Sequence, residues 1–458
     1  RRYIDEAVDW SCHVPMQGFA SAMHKLESEP EKPAAEVQRA DALAFLDDWA
    51  GNPRAQPYCA LLGELGMGKT TTCMAFARSL LERRKHDPAA PLPIYLDLRH
   101  LGDRAKGEPE LKQILESVLV KSWRGGHGEP DLTADEAIQL VQSEGAVAIF
   151  DGLDEVLVHL SAAGGQRFVR EVFRLLPPVT RAGKAQAGAN PAVRPGRLLM
   201  ACRTHFFRTL REQKNFFTAE DRDGVRAEDY RAFVLLPFSE EQIRGYLAQT
   251  LPDQDPGRVL DLIRAVHNLS EMAERPYTLN LISRHIPQIQ RWKLEGRSVT
   301  GVMLYRHMVL SWLERDDGKH QILPDHKRRL MEYLAAELWR AGRRVWSVGE
   351  LEQWLIDFLA RRPDVAAHYD GKDRELLKED LRTATFLVRE GEDSFRFAHT
   401  SLQEFFLAGY LLEALVQGTP ESWVLPMPSP ETLDFLGQLL VEDASVADKA
   451  LATLRELR

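Results

Sequence analysis

The amino-acid sequence predicts an α/β fold in its first half, with a parallel sheet and crossover helices, and a helical region with a hairpin in its second half. Short apolar or β-branched runs recur along the first half, which is typical of buried strands. Helical spacing of apolar residues lies between them, as in Leu111–Trp123 and Phe168–Leu176. Strands that alternate with helices predict a parallel sheet. The predicted strands are Tyr58–Leu62, Ile94–Leu98, Ala146–Phe150, Arg197–Arg203 and Ala232–Leu236.

Length and composition bound the class of protein. The chain has 458 residues, enough for several domains at about 100 to 200 residues each. Its 44% hydrophobic and 28% charged residues are those of a globular protein rather than a disordered or fibrous one. No apolar stretch approaches the roughly 18 residues that a membrane-spanning helix requires, so we expect no membrane segment. The chain begins with Arg1 rather than methionine, which fits a piece of a longer protein.

Charge and cysteine content suggest a partner class and a compartment. Lysine and arginine total 59 against 68 acidic residues, a formal net charge of −9. This balance argues against a nucleic-acid partner, although it does not exclude a local basic face. The four cysteines form no CxxC pair, which indicates a reducing compartment, and we expect a cytoplasmic protein.

The strand pattern stops after Pro237. The segment Ser239–Gln242 has the form of a capping box that opens an amphipathic helix. Further along, Phe386–Arg389 and Phe395–Ala398 flank a glycine-containing turn and predict a hairpin. Helices followed by a hairpin predict a winged-helix arrangement.

One short segment carries the strongest chemical signal. It matches the phosphate-binding pattern G-x-x-x-x-G-K-[ST], lies after the strand Tyr58–Leu62, and leads into a helix at Thr71. In this context backbone amides at the helix N-terminus favour phosphate, the lysine reaches the β and γ phosphates, and the threonine binds Mg²⁺. The segment consists of Gly63, Glu64, Leu65, Gly66, Met67, Gly68, Lys69 and Thr70.

A second signal is the apolar strand Ala146–Phe150, which ends in carboxylates. Asp151, at the carboxyl end of a central strand, is predicted to hold Mg²⁺. Asp154 and Glu155 follow, and either can serve as the general base for the attacking water, with Glu155 preferred. The alternative for either residue is a cap of the next helix.

The strand Arg197–Arg203 ends in a cation. Arg203 is predicted to sense the γ phosphate through its guanidinium group. The alternative is an arginine that simply ends a strand.

These motifs together resemble the NACHT family of STAND signal-transduction NTPases, which are relatives of the AAA+ ATPases. The resemblance covers roughly residues 3 to 415 and implies a P-loop sheet followed by a helical and a winged-helix domain. Besides the phosphate loop, the segments that carry it are Phe150–Glu155, Leu236–Ile243, Arg275–Leu279 and Phe397–Phe406.

The resemblance also implies roles for single residues. Pro276 corresponds to the proline that packs on adenine, His399 to the winged-helix histidine that contacts the β phosphate of ADP, and Tyr3 and Ile4 to the arm that lines the adenine pocket. From the residues alone, His399 suits a packed core histidine equally well, because it shares a strand face with Phe395 and Phe397.

The predicted domains follow from these motifs. They are an N-terminal arm and linker at 1–56, a nucleotide-binding NACHT domain at 57–237, a helical domain at 238–298, a winged-helix domain at 299–415, and the start of a C-terminal helical or sensor region at 416–458.

The resemblance implies a slow, Mg²⁺-dependent ATPase that is closed with ADP and oligomerises with ATP after a trigger. Such proteins are cores of NLR-like immune receptors, and in a bacterium this means antiviral defence against phage. Expected partners are further copies of the chain, an unknown trigger, and effector and sensor domains outside this chain. ATP is favoured over GTP, since the N/TKxD tetrapeptide that specifies guanine is absent. The alternatives are an AAA+-like ATPase that turns over constitutively and a nucleotide-regulated scaffold or transcription regulator.

Overall fold

The computed structural model describes most of the chain and divides it into two compact units, Arg1–Gln242 and Ile243–Arg458. The described residues are 1–22, 39–64, 66–98, 101, 109–122, 132–153, 156, 162–176, 196–202, 230–264, 269–294, 300–315, 322–372, 374–382, 386–390, 394–442 and 444–456.

The first unit is built on a sheet of seven described strands, in the order β2-β1-β7-β3-β6-β5-β4. The five from β7 to β4 run parallel, while β1 pairs antiparallel with β7 and β2. The parallel sheet predicted from the sequence is therefore confirmed. The strands are β1 Gln17–Ala22, β2 Ala40–Asp41, β3 Tyr58–Leu62, β4 Pro93–Asp97, β5 Val147–Asp151, β6 Arg197–Cys202 and β7 Tyr230–Leu235.

Helices cover both faces of this sheet. The phosphate-loop helix α3, Lys69–His86, packs against β4, β5 and β6. On the other face, α4, Leu111–Ser122, packs against β4 and against α5, Ala134–Ser143. That second face carries the main apolar core, in which Leu96, Phe150 and Met200 are at most 1% exposed. The helices of this unit are α1 Arg2–Ala7, α2 Ala42–Gly51, α3 Lys69–His86, α4 Leu111–Ser122, α5 Ala134–Ser143 and α6 Ala162–Phe173.

The edge strand β2 and its neighbour β1 come from the region predicted as arm and linker. Gly18 of β1 lies so close to β7 that a Cβ there would be 2.2 Å from the carbonyl oxygen of Val234. Two strands from residues 1–56 thus join the sheet, and residues 23–38 of the predicted arm and linker lie outside the described residues.

The capping box at Ser239 is confirmed. The Ser239 amide donates to Gln242 Oε1 at 3.0 Å, and the Gln242 amide donates to Ser239 Oγ at 3.3 Å. The helix that follows is α7, Glu240–Thr250, which buries Ile243, Tyr246 and Leu247.

The second unit is helical with one small sheet. Its described strands β8 Trp346–Ser347, β9 Leu387–Glu390 and β10 Ser394–Phe397 are antiparallel in the order β8-β10-β9, which confirms the hairpin and the winged-helix arrangement. The helices are α8 Pro256–Arg264, α9 Leu269–Ala273, α10 Pro276–Leu294, α11 Gly301–Arg315, α12 Pro324–Arg340, α13 Val348–Arg361, α14 Pro363–Ala366, α15 Arg374–Arg382, α16 Thr400–Gln417, α17 Pro430–Glu442 and α18 Ala444–Glu456.

Within the ranges given above, every helix is too short or too polar to cross a lipid bilayer.

Candidate functional site

The phosphate loop turns sharply between β3 and α3. Gly66 has φ 79° and Gly68 has φ 77°, both in the left-handed region that glycine tolerates best. Gly68 is the N-cap of α3, so the amides of the first helical turn open towards the loop. Leu65 lies outside the described residues. The described backbone forms the kind of concave amide cradle that binds phosphate.

Lys69 is the first residue of α3. Its Nζ donates to the carbonyl oxygen of Gly63 at 2.8 Å and to that of Glu64 at 3.2 Å. These two bonds fold the ammonium group back over the loop, where a positive charge would meet phosphate oxygens.

The remaining loop residues close the turn. The Met67 amide donates to the carbonyl oxygen of Glu64 at 3.3 Å, and Thr72 Oγ1 donates to the carbonyl oxygen of Gly68 at 2.9 Å. Thr70 and Thr71 are half-buried in the first turn of α3. The structure therefore brings the described nucleotide-binding candidates of the loop together at one helix end.

Two buried carboxylates lie at the carboxyl edge of the sheet. Asp151 ends β5, Asp97 ends β4, and the two are direct register partners, each only 1% exposed. The Tyr95 hydroxyl donates to Asp151 Oδ2 at 2.8 Å, and the Tyr3 hydroxyl donates to Asp97 Oδ2 at 2.8 Å. One strand, β6, separates β5 from the strand that carries the phosphate loop.

The surroundings of Asp151 shift the ionisation of its neighbours. Burial, and then the charges of Asp151 and Asp97, raise the pKa of Tyr95 far above its ordinary value. Burial also raises the pKa of Cys73 on α3, with a further contribution from Asp151. The Tyr95 hydroxyl thus keeps its proton and acts as a donor to Asp151.

The donor set fits Mg²⁺. Asp151 and Thr70 offer the carboxylate and hydroxyl oxygens that this hard cation prefers. The described residues contain no group of three or more His, Cys, Asp or Glu side chains that could hold a metal on its own. Mg²⁺ is typically held by one or two protein groups together with phosphates, and Asp151 and Thr70 would be those groups if it enters with a nucleotide.

Three predicted catalytic residues cannot be placed. Asp154, Glu155 and Arg203 lie outside the described residues, so their roles stay predictions.

Ile4 lies on α1 and is 4% exposed. Its helix is tied to α3 by ion pairs from Arg1 to Glu82 at 2.7 Å and from Arg78 to Asp5 at 3.5 Å. The Ile4 carbonyl oxygen accepts a bond from Trp10 Nε1 at 3.3 Å. Whether Ile4 contacts adenine stays a prediction.

In the second unit, His399 is the N-cap of α16 and is half-buried. Its Nδ1 lies 3.2 Å from the Ser401 amide and 2.7 Å from Ser401 Oγ, and Ser401 Oγ accepts from the Tyr305 hydroxyl at 2.7 Å. An amide can only donate, so Nδ1 accepts and the neutral ring carries its proton on Nε2. A histidine in this tautomer can donate to a phosphate oxygen from Nε2.

Pro276 is the first residue of α10, a position that suits proline because no amide is needed there. It is half-buried, and the Thr278 hydroxyl donates to the carbonyl oxygen of Arg275 at 3.1 Å beside it. Its predicted contact with adenine stays a prediction.

Tyr95 and Asp97 were not predicted from the sequence, and Tyr3 was predicted only as part of the arm that lines the adenine pocket. A signal existed for Asp97, because it ends an apolar strand in the same way as Asp151. The pairing of these side chains depends on strand register and on the position of α1, which local patterns do not reveal.

Comparison with known proteins places the chain only coarsely. No family model matches it. An uncharacterized WD repeat-containing protein of Nostoc sp. is 24% identical over 379 residues, which cover 80% of this chain and 22% of that protein. The chain thus spans about a fifth of the length of this curated relative.

Several solved structures are similar in fold. The Aeropyrum pernix ORC1 protein in complex with DNA has a TM-score of 0.39 and 16% identity, covering 85% of this chain and 97% of that one. The Aeropyrum pernix ORC2 protein with ADPNP and ADP has a TM-score of 0.37 and 16% identity, covering 87% and 93%. Drosophila ORC bound to DNA has a TM-score of 0.34 and 13% identity, covering 89% and 90%.

The first unit has the fold and phosphate loop of a P-loop NTPase, and membership of the NACHT family stays a prediction. The expectation of no nucleic-acid partner is corrected here and not kept: two of the similar structures, Aeropyrum pernix ORC1 and Drosophila ORC, are complexes with DNA. The physical reason is that net charge averages over the whole surface, so a charge of −9 does not exclude a local basic face.

Proposed function

We propose that the chain is a Mg²⁺-dependent ATPase whose nucleotide state controls its second, winged-helix unit. The observation that carries this proposal is the phosphate loop, with two left-handed glycines and the Lys69 ammonium group folded over the loop carbonyls.

Each residue has a defined task in this proposal. The loop amides hold the phosphates, and Lys69 exchanges its carbonyl contacts for β and γ phosphate oxygens. Thr70 and Asp151 hold Mg²⁺, which when bound neutralises charge on the phosphate oxygens. Asp154 or Glu155 orients and deprotonates the attacking water, and Arg203 reports the γ phosphate.

The finer part of the proposal is a switch of the NACHT type. His399 donates from Nε2 to the β phosphate of ADP and favours a closed monomer, Pro276 and Ile4 line the adenine pocket, and ATP favours self-assembly after a trigger. This is the expected behaviour of an NLR-like core in antiviral defence, with effector and sensor domains supplied outside this chain. Its support is the motif resemblance together with the proton position on His399.

The decisive test is Lys69→Ala in calorimetric titrations with ATP and ADP. We expect the wild type to bind both nucleotides with Mg²⁺ and the variant to lose tight binding. Lys85→Ala is the matched control, because Lys85 lies at the other end of the same helix and pairs with Glu82 on the surface. Equal affinities of Lys69→Ala and wild type would show that the loop binds no phosphate.

The second candidate is a constitutive ATPase or a DNA-binding regulator. The DNA-binding regulator is favoured by the winged-helix arrangement of β8, β9 and β10, an architecture compatible with a DNA contact. Steady ATP turnover without a trigger would support the constitutive ATPase. A gel shift that weakens steeply with salt would support the DNA-binding regulator.

A further inference from the structure

The strand β4 carries two side chains that bear on the proposed metal site. Tyr95 and Asp97 are two residues apart and therefore lie on the same face of the sheet. Tyr95 is 3% exposed and Asp97 is 1% exposed, so both polar groups are held inside the protein. A buried polar group costs free energy unless it is hydrogen-bonded, and both are.

The Tyr95 hydroxyl fixes one oxygen of Asp151. The bond is 2.8 Å long, it is fully buried, and it joins adjacent strands. A carboxylate without such a partner can rotate about its terminal torsion, which is broad and has no steep minimum. The hydroxyl therefore limits the orientations in which Asp151 can approach a cation.

Asp97 accepts a hydrogen bond from a tyrosine hydroxyl in the same way as Asp151, in this case from the N-terminal helix α1. The Tyr3 hydroxyl of α1 donates to Asp97 Oδ2 at 2.8 Å, and the Tyr3 and Tyr95 rings lie 6.0 Å apart between centroids. The same helix is ion-paired to α3, the helix that begins at Lys69. Helix α1 thus contacts both the phosphate-loop helix and the edge that holds the acidic residues.

We propose that Tyr95 is a positioning residue that orients Asp151 for Mg²⁺, and that Tyr3 and Asp97 extend this support to helix α1. The proposal rests on the proposed function, since it assumes that Asp151 binds the metal of a nucleotide complex. Outer hydrogen bonds of this kind typically change metal affinity by about 10- to 100-fold when they are removed.

The test separates metal binding from nucleotide binding. The affinity of a fluorescent ATP analogue is measured in EDTA and over a series of Mg²⁺ concentrations, for wild type, Tyr95→Phe and Tyr3→Phe. The Mg²⁺ midpoint is the concentration at which half of the effect of Mg²⁺ on nucleotide affinity is reached. We expect Tyr95→Phe to raise this midpoint by roughly 10-fold or more, while its nucleotide affinity in EDTA stays within about 2-fold of that of wild type. Tyr3→Phe shifts the Mg²⁺ midpoint in the same direction by a smaller factor.

Tyr369→Phe is the matched control. Tyr369 is a buried tyrosine of the second unit whose hydroxyl bonds the Leu323 amide at 3.2 Å and His326 Nδ1 at 2.7 Å. Loss of this hydroxyl removes comparable hydrogen bonds without touching the metal site, so its Mg²⁺ midpoint equals that of wild type.

The outcomes are distinct. A wild type that binds no nucleotide refutes the proposed function and this inference with it. If the nucleotide affinity of wild type responds to Mg²⁺ and Tyr95→Phe has the same Mg²⁺ midpoint, the inference about Tyr95 is refuted while the proposed function stands. Should Tyr95→Phe fail to fold, the half-buried Tyr3→Phe decides, and an unchanged midpoint in that variant overturns the proposal.

Discussion

At the scale of single residues, the phosphate loop depends on backbone conformations that a side chain opposes. A left-handed conformation costs an L-residue about 1 to 2 kcal/mol, because Cβ then approaches the following carbonyl oxygen. Gly66 and Gly68 avoid this cost on either side of Met67, which is itself buried at 4% exposure. The two glycines therefore allow the loop its sharp turn at little conformational cost.

Gly68→Ala tests this directly. We expect a loss of about 1 to 2 kcal/mol in the free energy of unfolding, together with weaker nucleotide binding, because φ 77° is strained for alanine. Gly437→Ala is the control, since Gly437 lies within α17 with nothing near its Cβ position, and there alanine stabilises by about 0.5 to 1 kcal/mol. Urea unfolding of both variants measures whether the free energy of unfolding falls in Gly68→Ala and rises in Gly437→Ala. An unchanged free energy of unfolding in Gly68→Ala would contradict the predicted strain.

Local sequence was enough for some of these residues and not for others. Lys69, Thr70 and Asp151 follow from patterns within a few residues of chain, so their places at the start of α3 and the end of β5 could be predicted, while their roles stay predictions. The bonds from Tyr95 to Asp151 and from Tyr3 to Asp97 join residues 56 and 94 positions apart. Such pairs are set by register and packing, which no local pattern encodes.

At the scale of helices and strands, burial on both faces made the parallel strands predictable. The residues of β3, β4 and β5 are all buried, and each strand was predicted to within one residue. The strand β1, next to the edge strand β2, was missed, because its sequence QGFASA has no apolar alternation and includes a glycine. Gly18 is there because β7 passes too close for a side chain.

Gly18→Ala measures the importance of this edge. The new Cβ would lie 2.2 Å from the Val234 carbonyl oxygen and 2.4 Å from the Phe233 ring, so β1 must shift. We expect a loss of about 1 to 3 kcal/mol, as for overpacked sites. A lower thermal midpoint with weaker hydrogen-exchange protection of β1 and β7 is the expected result, and unchanged protection of both strands would contradict it.

Glu332 lies on α12 against Gly409 of α16, and we expect its ionisation to make stability depend on pH. It is 7% exposed, Arg328 Nη1 donates to its Oε1 at 3.3 Å, and a Cβ on Gly409 would lie 2.8 Å from the same oxygen. Burial raises the pKa of Glu332 to about 7. Between its ordinary value and about pH 7 the folded state keeps a proton that the unfolded chain has lost, so stability falls as the pH rises through this window.

Glu332→Gln should remove this dependence. We compare the free energy of unfolding of the variant with that of wild type. The variant minus wild-type difference increases by about 3 kcal/mol between about pH 5 and about pH 8, because each pKa unit is worth about 1.4 kcal/mol. Urea titrations at both pH values measure it. Glu337→Gln, a partly exposed site on the same helix, is the control, and a Glu332→Gln difference no larger than that of the control would contradict the assignment.

At the scale of the whole molecule, the two compact units give a switch two parts to rearrange. Moving a two-state equilibrium from 1:99 to 99:1 takes about 5.5 kcal/mol of differential binding. One hydrogen bond to a charged group supplies only about 1.5 to 3 kcal/mol. The proposed phosphate contact of His399 can therefore bias the closed form but cannot hold it alone, which is why the proposal includes a trigger.

His399→Ala tests the switch at this scale. Loss of about 1.5 to 3 kcal/mol from the closed, ADP-bound form shifts the ratio of open to closed protein by roughly 10- to 150-fold, so we expect a larger oligomeric fraction with ATP and faster release of ADP. Native mass spectrometry measures the assembly, and the nucleotide released on denaturation identifies the bound state. His86→Ala serves as the control, because His86 is exposed at the end of α3 and has no role in the proposal. If His399→Ala has the mass distribution and ADP release of wild type, the proposed ATPase stands but the histidine is excluded as its phosphate contact. If the mass distribution and ADP release change in His399→Ala and not in the control, the winged-helix unit responds to the nucleotide through this histidine.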